Sequence, residues 1–298
     1  MNTVSSKIAL FLMTYKGWAV LEAITQNGYK NLIEIVIVGQ DKNIDNDYAS
    51  EIIRFCKSNH IRWILKKDTP LINCKYALAI AWRWLINLSS ETKLLVLHDS
   101  LLPKYRGFAP LVNQLINGEN YLGVTLLFAS KEYDKGEIID QVKKQINYPI
   151  KISSAIDIVT KCYILLTLNV FKNITESATF ISRKQKETEA TYSLWRNNED
   201  YIIDWTWNAN KIKRFIDAVG TPYSGAQSFI YNKKIIIEEA EVVKDVKIIN
   251  RDVGKVIFIN NSKPIIICGK GLLKIIKAKY LHNSESILPL AKFRTRFQ

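Results

Sequence analysis

The sequence has few of the residues that build metal and disulfide sites. Its four cysteines are Cys56, Cys74, Cys162 and Cys268, and no two of them form a CxxC pair. Neither a zinc site nor a redox motif is therefore predicted. Cys162 and Cys268 lie in apolar runs, so we expect them to be reduced core residues of a cytoplasmic protein.

Two common nucleotide-binding motifs are also absent. The turn after the first apolar run, Thr14-Tyr-Lys-Gly17, has a single glycine where a dinucleotide-binding GxGxxG turn has three. No GxxxxGK[ST] segment occurs anywhere in the chain. The sequence is therefore not predicted to bind NAD or FAD, or to carry a P-loop.

Long hydrophobic runs are missing as well. Ile8–Met13 is short and has no small-residue cleavage site after it, which is typical of a first strand rather than a signal peptide. The apolar stretch Cys162–Phe171 is bracketed by Lys161 and Lys172, well short of the ~20 residues that a membrane span needs. We expect no segment of this chain to cross a membrane.

The composition is that of a globular protein. The 298 residues are 48% hydrophobic and 23% charged, which excludes a disordered chain, a collagen-like repeat and a small disulfide scaffold. The formal net charge of +14 favours anionic partners, namely nucleic acid, phosphorylated small molecules or an acidic membrane surface. A basic but otherwise ordinary soluble surface is the alternative explanation.

The first half of the chain alternates strand and helix patterns. Four apolar runs have the length of buried strands: Ile8–Met13, Glu34–Gly39, Tyr76–Ala81 and Lys93–His98. Segments with helical spacing separate the first three, at Gly17–Thr25 and Ala49–Ser58. This rhythm predicts an α/β fold with a Rossmann-like, mostly parallel sheet and helices on both faces.

The second half predicts a different architecture. A polar stretch over 176–200 is interpreted as a linker, and Ala209–Val219 as a helix. The remaining apolar runs are short and separated by turn residues: Lys234–Val243, Gly254–Ile259, Pro264–Gly269 and Leu272–Leu281. We predict a catalytic domain over 1–190 and a smaller β-rich, barrel-like domain over 191–298.

One of the three histidines stands out by its position. His98 ends the strand Lys93–His98, and open α/β sheets bind their ligands at the carboxyl ends of strands. An imidazole there can act as a general base, or it can simply bond a backbone carbonyl. If the strand continues to Asp99, that side chain is expected on the opposite face, so Asp134, in a later turn, is the better candidate partner for His98. Aspartate is also a common turn residue, and from the residues alone an ordinary turn role is the favoured explanation for Asp134.

The residues around His98 resemble a known family. The segments His98–Pro110, Ile116–Glu119, Gly123–Thr125 and Asp134–Ile139 are similar, in order and spacing, to the signature of 10-formyltetrahydrofolate-dependent formyltransferases. Shorter matches, at Asp204-Trp205 and Pro222-Tyr-Ser-Gly-Ala226, resemble the domain that follows in methionyl-tRNA formyltransferases and sugar N-formyltransferases. The resemblance implies a Rossmann-like folate domain followed by a small β-rich domain.

The resemblance also implies a reaction and its residues. An amine would attack the formyl carbon of the folate, His98 would take the amine proton or polarise the formyl oxygen, and Asp134 would orient His98. The family pattern is Asn-x-His, whereas this chain has Val96-Leu-His98. Val96 cannot donate a hydrogen bond, and losing an oxyanion donor costs about a hundred- to thousand-fold in rate. Because His98, Asp134 and the loop around them are kept together, the chain is expected to be an active variant. The alternative is a catalytically silent homologue that binds folate or a nucleotide.

The resemblance further implies the co-substrate and the acceptor. Trp82, Arg83 and Trp84 match the loop that lines the family's pterin pocket, so 10-formyltetrahydrofolate is the expected formyl donor, although we expect at least one of the two tryptophans to pack in the core. The expected acceptor is a nucleotide-linked amino sugar for surface glycans, of the pseudaminic-acid type. Met-tRNA is the alternative acceptor, and a homodimer is expected because sugar enzymes of this family are often dimers.

Several residues are candidates for binding that acceptor, each with an ordinary surface or packing role as the alternative. The aromatic and cationic candidates are Tyr15, Lys16, Lys104, Arg106, Trp205 and Tyr223.

Overall fold

The structure is a computed structural model that describes residues 5–41 and 46–298. It divides into two compact units. One contains the chain up to Pro110 together with Tyr121–Gln145 and Ile156–Leu194. The other contains Leu111–Asn120, Ile146–Ala155 and Trp195–Gln298. The prediction divides the chain once, at residue 190, whereas the second unit also contains two short earlier segments, Leu111–Asn120 and Ile146–Ala155. The domain limits stay a prediction.

The first part of the chain alternates strands and helices. Up to residue 194 the elements are β1 (Ser5–Leu12), α1 (Thr14–Gln26), β2 (Ile33–Val38), α2 (Ala49–Ser58), β3 (Trp63–Leu65), β4 (Cys74–Ile80), β5 (Lys93–His98), β6 (Arg106–Gly107), α3 (Pro110–Asn117), β7 (Tyr121–Phe128), β8 (Ile138–Gln145), α4 (Ile152–Thr175) and β9 (Tyr192–Ser193). Short 3₁₀ turns occur between several of them. The predicted strands and helices of this part are confirmed. The strands β3, β6 and β9 were not predicted because they are only two or three residues long.

The central sheet has the strand order of a Rossmann-like fold. Seven strands lie in the order β3-β2-β1-β4-β5-β7-β8. The pairs from β3 to β5 are parallel, and β7 and β8 are added antiparallel. The apolar runs of β1 and β4 are buried almost throughout, as strands covered by helices on both faces must be. The predicted fold class is confirmed.

The register around β5 decides which side chains share a face. His98 lies opposite Thr125 of β7, and Val96 lies opposite Leu127. Because side chains alternate along a strand, Val96 and His98 project from the same face and Asp99 from the other. The carboxyl end of β5 thus presents His98 to the loop that follows it.

The helix α4 is long and apolar enough to cross a membrane by length and composition alone. Half of its most apolar window is buried inside the structure, and the core helix of a soluble protein passes the same test. Its Tyr163 hydroxyl donates a hydrogen bond to the Leu97 carbonyl of β5 at 3.0 Å. The absence of a membrane segment and the cytoplasmic location stay predictions.

The second unit is built on an antiparallel sheet. Its elements after residue 194 are α5 (Ala209–Ala218), β10 (Ala226–Ile230), β11 (Lys233–Val243), β12 (Val256–Asn260), β13 (Lys263–Ile267) and β14 (Leu272–Tyr280). The strand order is β10-β11-β14-β13-β12. Asn208 caps α5 by accepting a hydrogen bond from the Lys211 amide at 2.8 Å, and α5 packs against β11. The prediction of a β-rich second part is confirmed, although β10 was not expected.

The polar stretch predicted as a linker is packed onto the first unit over its middle part. Arg183 forms a backbone bridge with Ile138, and β9 pairs with β6. Gly107 in β6 has φ +97°, and a Cβ there would lie 2.5 Å from the Ser193 carbonyl oxygen, so only glycine fits this pairing. Composition was misleading here because three polar side chains of this stretch, those of Arg183, Gln185 and Glu187, form hydrogen bonds with residues earlier in the chain.

Candidate active site

The His98 ring is buried and bonded on one side. Its Nε2 lies 2.8 Å from the Tyr105 carbonyl oxygen, and the residue is 7% exposed. A carbonyl only accepts hydrogen bonds, so Nε2 carries the proton that it donates. This bond fixes the ring plane and leaves Nδ1 as the nitrogen that faces the rest of the site.

Asp134 is the carboxylate that faces Nδ1. The distance from His98 Nδ1 to Asp134 Oδ1 is 3.4 Å, and both side chains are mostly buried. The other oxygen of Asp134 accepts a hydrogen bond from the Gly107 amide at 2.8 Å. Asp99 instead forms an ion pair with Lys16, as the alternation of side chains along β5 predicted. The structure therefore brings His98 and Asp134 together, while their catalytic roles stay a proposal.

The pair is arranged to hold or move one proton. A neutral His98 ring that carries its proton on Nε2 has a lone pair on Nδ1. This lone pair faces the Asp134 carboxylate, and the two negative groups repel each other. A proton or an N–H group placed between the two atoms removes that repulsion. A carboxylate and an imidazole that face each other in a buried site are suited to general acid–base chemistry on an amine.

The loop after β5 is fixed by buried hydroxyl groups. Thr125 donates to the Ser100 carbonyl at 2.6 Å and accepts from the Leu102 amide at 3.0 Å. Ser100 in turn donates to the Lys104 carbonyl at 2.6 Å. The Gln141 amide reaches both Thr125 Oγ1 and the Leu102 carbonyl. Since these groups are satisfied within the protein, the loop between His98 and Tyr105 is held in one conformation.

Several non-glycine residues near this end of the sheet have left-handed backbone conformations. Ala81 follows β4 with φ +53°, Tyr105 and Ala109 lie in the loop after β5 with φ +58° and +46°, and Asp134 has φ +57°. Such residues cost about 1–3 kcal/mol each and tend to cluster at functional sites. Because Asp134 is one of these residues, its surroundings must hold the turn that presents its carboxylate.

Val96 lies at the position where the family pattern has asparagine, and its surroundings are apolar. It packs against two core clusters, one of which contains Leu102, Leu127 and Ile138. A polar side chain here would need a partner that these neighbours do not supply. The valine therefore fits its local packing.

The loop after β4 contains Trp82, Arg83 and Trp84. Trp82 packs edge-on against Phe11 at a centroid distance of 5.1 Å and against Trp84 at 5.2 Å. Arg83 forms an ion pair with Asp41 at 2.7 Å. The indole Nε1–H of Trp82 is buried and has no hydrogen-bond partner among the residues that the structure describes.

An unsatisfied buried donor costs about 1–3 kcal/mol, which an acceptor on a ligand would recover. The aromatic surfaces and this donor fit a flat heterocycle with ring nitrogens and a carbonyl. As predicted, one of the two tryptophans, Trp82, packs against the core.

Three of the predicted acceptor-binding residues, Lys16, Trp205 and Arg106, are buried and have partners inside their own unit. Lys16 is 9% exposed, pairs with Asp99, and lies over the Tyr163 ring. Trp205 is 4% exposed, and its indole nitrogen donates to Ser228 Oγ at 3.1 Å. Trp205 also packs against Phe297, so it stabilises the core of the second unit.

Arg106 is the largest correction among these candidates. The sequence predicts a cation that binds the acceptor, but the Arg106 side chain is fully buried. Its guanidinium bonds Glu187 at two oxygens, at 2.8 Å each, together with Gln185 and Tyr192. These partners are supplied by the stretch predicted as a linker, which is why the sequence alone gave no sign of the burial.

The other candidates are more accessible. Lys104 is exposed on the loop after β5, and Tyr15 packs with Trp18 and Tyr48 in an aromatic group. Tyr223 is half-buried in the second unit. Their roles in binding an acceptor stay predictions.

Sequence reasoning missed residues that surround the His98–Asp134 pair. Gln185 donates to the Asp134 and Gly136 carbonyls at 2.7 Å each. Phe108 and Tyr133 are 49% and 67% exposed, and their ring centroids lie 6.3 Å apart. Tyr133 directly precedes Asp134 in the chain. The adjacency of these aromatic residues to the family signature was the only available signal for them.

The fold and the site together define an α/β protein with a buried histidine–aspartate pair at the end of a strand. Two family models match this chain: Formyl transferase over residues 75–154, and Formyl transferase, C-terminal domain, over residues 196–286. Together they cover more than half of the chain, so it belongs to the formyl transferase family. The resemblance stated from the sequence is thereby confirmed.

One curated relative matches part of this chain. The bifunctional polymyxin resistance protein ArnA of Wigglesworthia glossinidia brevipalpis is 36% identical over 191 residues, which are 62% of this chain. These residues are only 27% of that relative, so this chain spans little more than a quarter of its length.

Two solved structures share the fold. WlaRD, a sugar 3N-formyl transferase solved with dTDP and 5-N-formyl-THF, matches with a TM-score of 0.66 at 21% identity, over 95% of this chain and all of that chain. The N-formyltransferase from Helicobacter canadensis, in complex with folinic acid and dTDP-3-aminofucose, gives 0.65 at 18% identity, over 90% and 98%. At such identities the likeness establishes the fold.

Proposed function

We propose that this protein transfers a formyl group from 10-formyltetrahydrofolate to the amine of a nucleotide-linked amino sugar. The observation that carries the proposal is the buried His98–Asp134 pair, 3.4 Å apart at the carboxyl end of β5, within the region matched by the Formyl transferase model. The attacking amine loses a proton as it adds to the formyl carbon, and an imidazole that faces a carboxylate can accept it.

The two residues would act together. An amine that reaches this pair gives up one proton as the new C–N bond forms, and His98 holds that proton on Nδ1, where the facing Asp134 carboxylate stabilises it. The tetrahedral intermediate then carries negative charge on the formyl oxygen, which protonated His98 and backbone N–H groups would stabilise in place of the family's asparagine. Collapse of the intermediate breaks the bond from carbon to N10 of the folate, and the proton that the pair took from the amine passes to that nitrogen.

The formyl donor would bind against the loop after β4. Trp82 and Trp84 provide aromatic faces, and the buried Trp82 Nε1–H provides a donor for a pterin carbonyl or ring nitrogen. β4 and β5 are hydrogen-bonded neighbours, so this loop and His98 lie at the same edge of the sheet. The co-substrate would thus reach from the tryptophans to the acid–base pair.

The amino-sugar acceptor is favoured by the relatives. Both of the solved structures compared above were described with dTDP or a dTDP-sugar. The net charge of +14 suits a pyrophosphate-linked sugar, and it suits tRNA equally well. The finer expectation, a sugar of the pseudaminic-acid type, is part of the proposal and rests on the sequence alone.

A mass-spectrometric assay tests the proposal. The protein is incubated with 10-formyltetrahydrofolate and a panel of UDP-, dTDP- and GDP-linked amino sugars, with Met-tRNA alongside and His98→Ala as the control. We expect one formyl group to be added to a sugar by the wild type and none by the control. Addition to Met-tRNA alone would replace the sugar with tRNA as acceptor. Folate binding without any product would identify a silent binding protein and overturn the proposal.

A further inference from the structure

The two carbonyls of the turn that carries Asp134 are bonded by one side chain. Asp134 has a left-handed backbone with φ +57°, a conformation that a non-glycine residue keeps only when its surroundings enforce it. Two residues later, Gly136 passes so close to β7 that a Cβ there would lie 1.6 Å from the Phe128 carbonyl oxygen. The turn is therefore tightly placed, and its two free carbonyls need donors.

Gln185 supplies both donors. Its Nε2 lies 2.7 Å from the Asp134 carbonyl oxygen and 2.7 Å from that of Gly136. Its Oε1 accepts from Nε and Nη2 of Arg106, at 3.0 Å and 2.8 Å. Arginine only donates and carbonyls only accept, so the orientation of the Gln185 amide is fixed by its partners and its bonding capacity is fully used.

Arg106 joins this amide to the His98 side of the site. All five N–H groups of its buried guanidinium have acceptors, on Gln185, Glu187 and Tyr192. Its chain neighbours on either side touch the catalytic pair: the Tyr105 carbonyl accepts from His98, and the Gly107 amide donates to Asp134. The backbone that fixes His98 and the turn that presents Asp134 are thus tied by the arginine–glutamine contact, in addition to the direct bond from the Gly107 amide.

We propose that Gln185 is a positioning residue for the catalytic pair, which sets the distance between His98 and Asp134 by clamping the Asp134 turn to Arg106. The expected effect on the rate rests on the proposed function, because it assumes that His98 and Asp134 carry the proton transfer. A displacement of about 1 Å in such a pair lowers the rate roughly a hundred-fold.

The diagnostic substitution is Gln185→Glu. It keeps the size of the side chain and its acceptor atom for Arg106, but it replaces the amide donor by an oxygen that faces two carbonyls. Glu187→Gln is the matched control, because it weakens the same guanidinium cluster from its exposed side without touching the Asp134 turn. Where Gln185→Glu does not fold, Gln185→Met, which keeps the length without a charge, takes its place.

Two measurements decide the proposal. In the formyl-transfer assay, we expect Gln185→Glu to lower kcat about a hundred-fold while KM for both substrates changes less than about two-fold. Glu187→Gln is expected to stay within about three-fold of the wild type. Equal losses in the two variants, or a loss confined to KM, would overturn the positioning role.

The second measurement needs no turnover. The ¹⁵N resonances of the His98 ring report on the group that faces Nδ1, and we expect Gln185→Glu to shift them in the same direction as Asp134→Asn does, with Glu187→Gln unchanged. Unshifted resonances in Gln185→Glu would contradict the proposal. If the wild type transfers no formyl group, the proposed function fails, and the ring resonances alone decide whether Gln185 positions the pair.

Discussion

Two neighbouring loops at one edge of the central sheet are built in different ways. The loop after β5 carries His98 and is fixed by hydrogen bonds from buried side chains to backbone groups, among them those of Ser100, Thr125 and Gln141. The loop after β4 carries Trp82 and Trp84 and is held by edge-on aromatic contacts and one ion pair of Arg83.

The difference matches what each loop is proposed to do. Proton transfer requires atoms placed to within a fraction of an ångström, and directional hydrogen bonds provide that. A folate pocket needs a flat apolar surface and few polar contacts, and aromatic packing provides those at lower geometric precision. Substitutions in the first loop should therefore act on kcat, and substitutions in the second should act on KM for the folate.

The largest expected effect is at His98. We expect His98→Ala to lower kcat for formyl transfer at least about a thousand-fold, because the group that holds the proton and polarises the formyl oxygen is lost. Circular dichroism and the melting temperature check that the fold is kept. Activity within ten-fold of the wild type would remove His98 from the mechanism.

Val96 offers a gain rather than a loss. Val96→Asn restores the family's pattern beside His98, and we expect it to raise kcat about ten-fold or more by adding an oxyanion donor. Because Val96 packs among Leu102, Leu127 and Ile138, burial of the amide should also lower the melting temperature by several degrees. Val96→Thr, which adds a hydroxyl of similar volume, is the control. An unchanged kcat in a folded Val96→Asn variant would show that another group already stabilises the oxyanion.

A milder effect is expected in the second loop. Trp82→Phe keeps an aromatic ring but removes the unpartnered indole N–H. We expect KM for 10-formyltetrahydrofolate to rise about five- to ten-fold with kcat nearly unchanged, since one hydrogen bond to the ligand is lost. Trp84→Phe serves as the control for ring size. A fall in kcat with KM unchanged would contradict the division of roles between the two loops.

The smallest effect concerns pH and stability. Hydrogen bonds from Arg106 lower the pKa of Glu187 below its usual value. The charged carboxylate therefore stabilises the folded protein at pH values above about 4.3, the usual pKa of glutamate. This stabilisation is lost as the pH falls through the lowered pKa of Glu187 in the folded protein. We expect the melting temperature of the wild type to fall more steeply between pH 6 and pH 3 than that of Glu187→Gln, by a few degrees. Parallel curves for the two proteins would exclude this contribution.

The sequence predicted the part of the site that depends on strand periodicity. Alternation along β5 placed Asp99 on the far face of the strand from His98, and the family signature selected Asp134. The parallel sheet followed from apolar runs that are buried on both faces. These features depend on local patterns that a single sequence carries.

The sequence could not predict contacts made over long separations by polar residues. Arg106 seemed to be an exposed cation because its partners Gln185 and Glu187 lie about eighty residues later, in a stretch whose composition is typical of a linker. Trp205 likewise seemed available for a ligand, but it packs with Phe297 at the far end of the second unit. In both cases the deciding information is tertiary.

The most direct test uses the Asp134→Asn variant, whose side chain keeps the size of aspartate and tolerates the left-handed backbone. Binding of 5-formyltetrahydrofolate and the rate of formyl transfer from 10-formyltetrahydrofolate are measured on the same sample. We predict an unchanged dissociation constant and a transfer rate lowered about a thousand-fold. Transfer at the wild-type rate, or loss of folate binding together with activity, would contradict the assignment of the loop after β5 as the chemical site and the loop after β4 as the folate pocket.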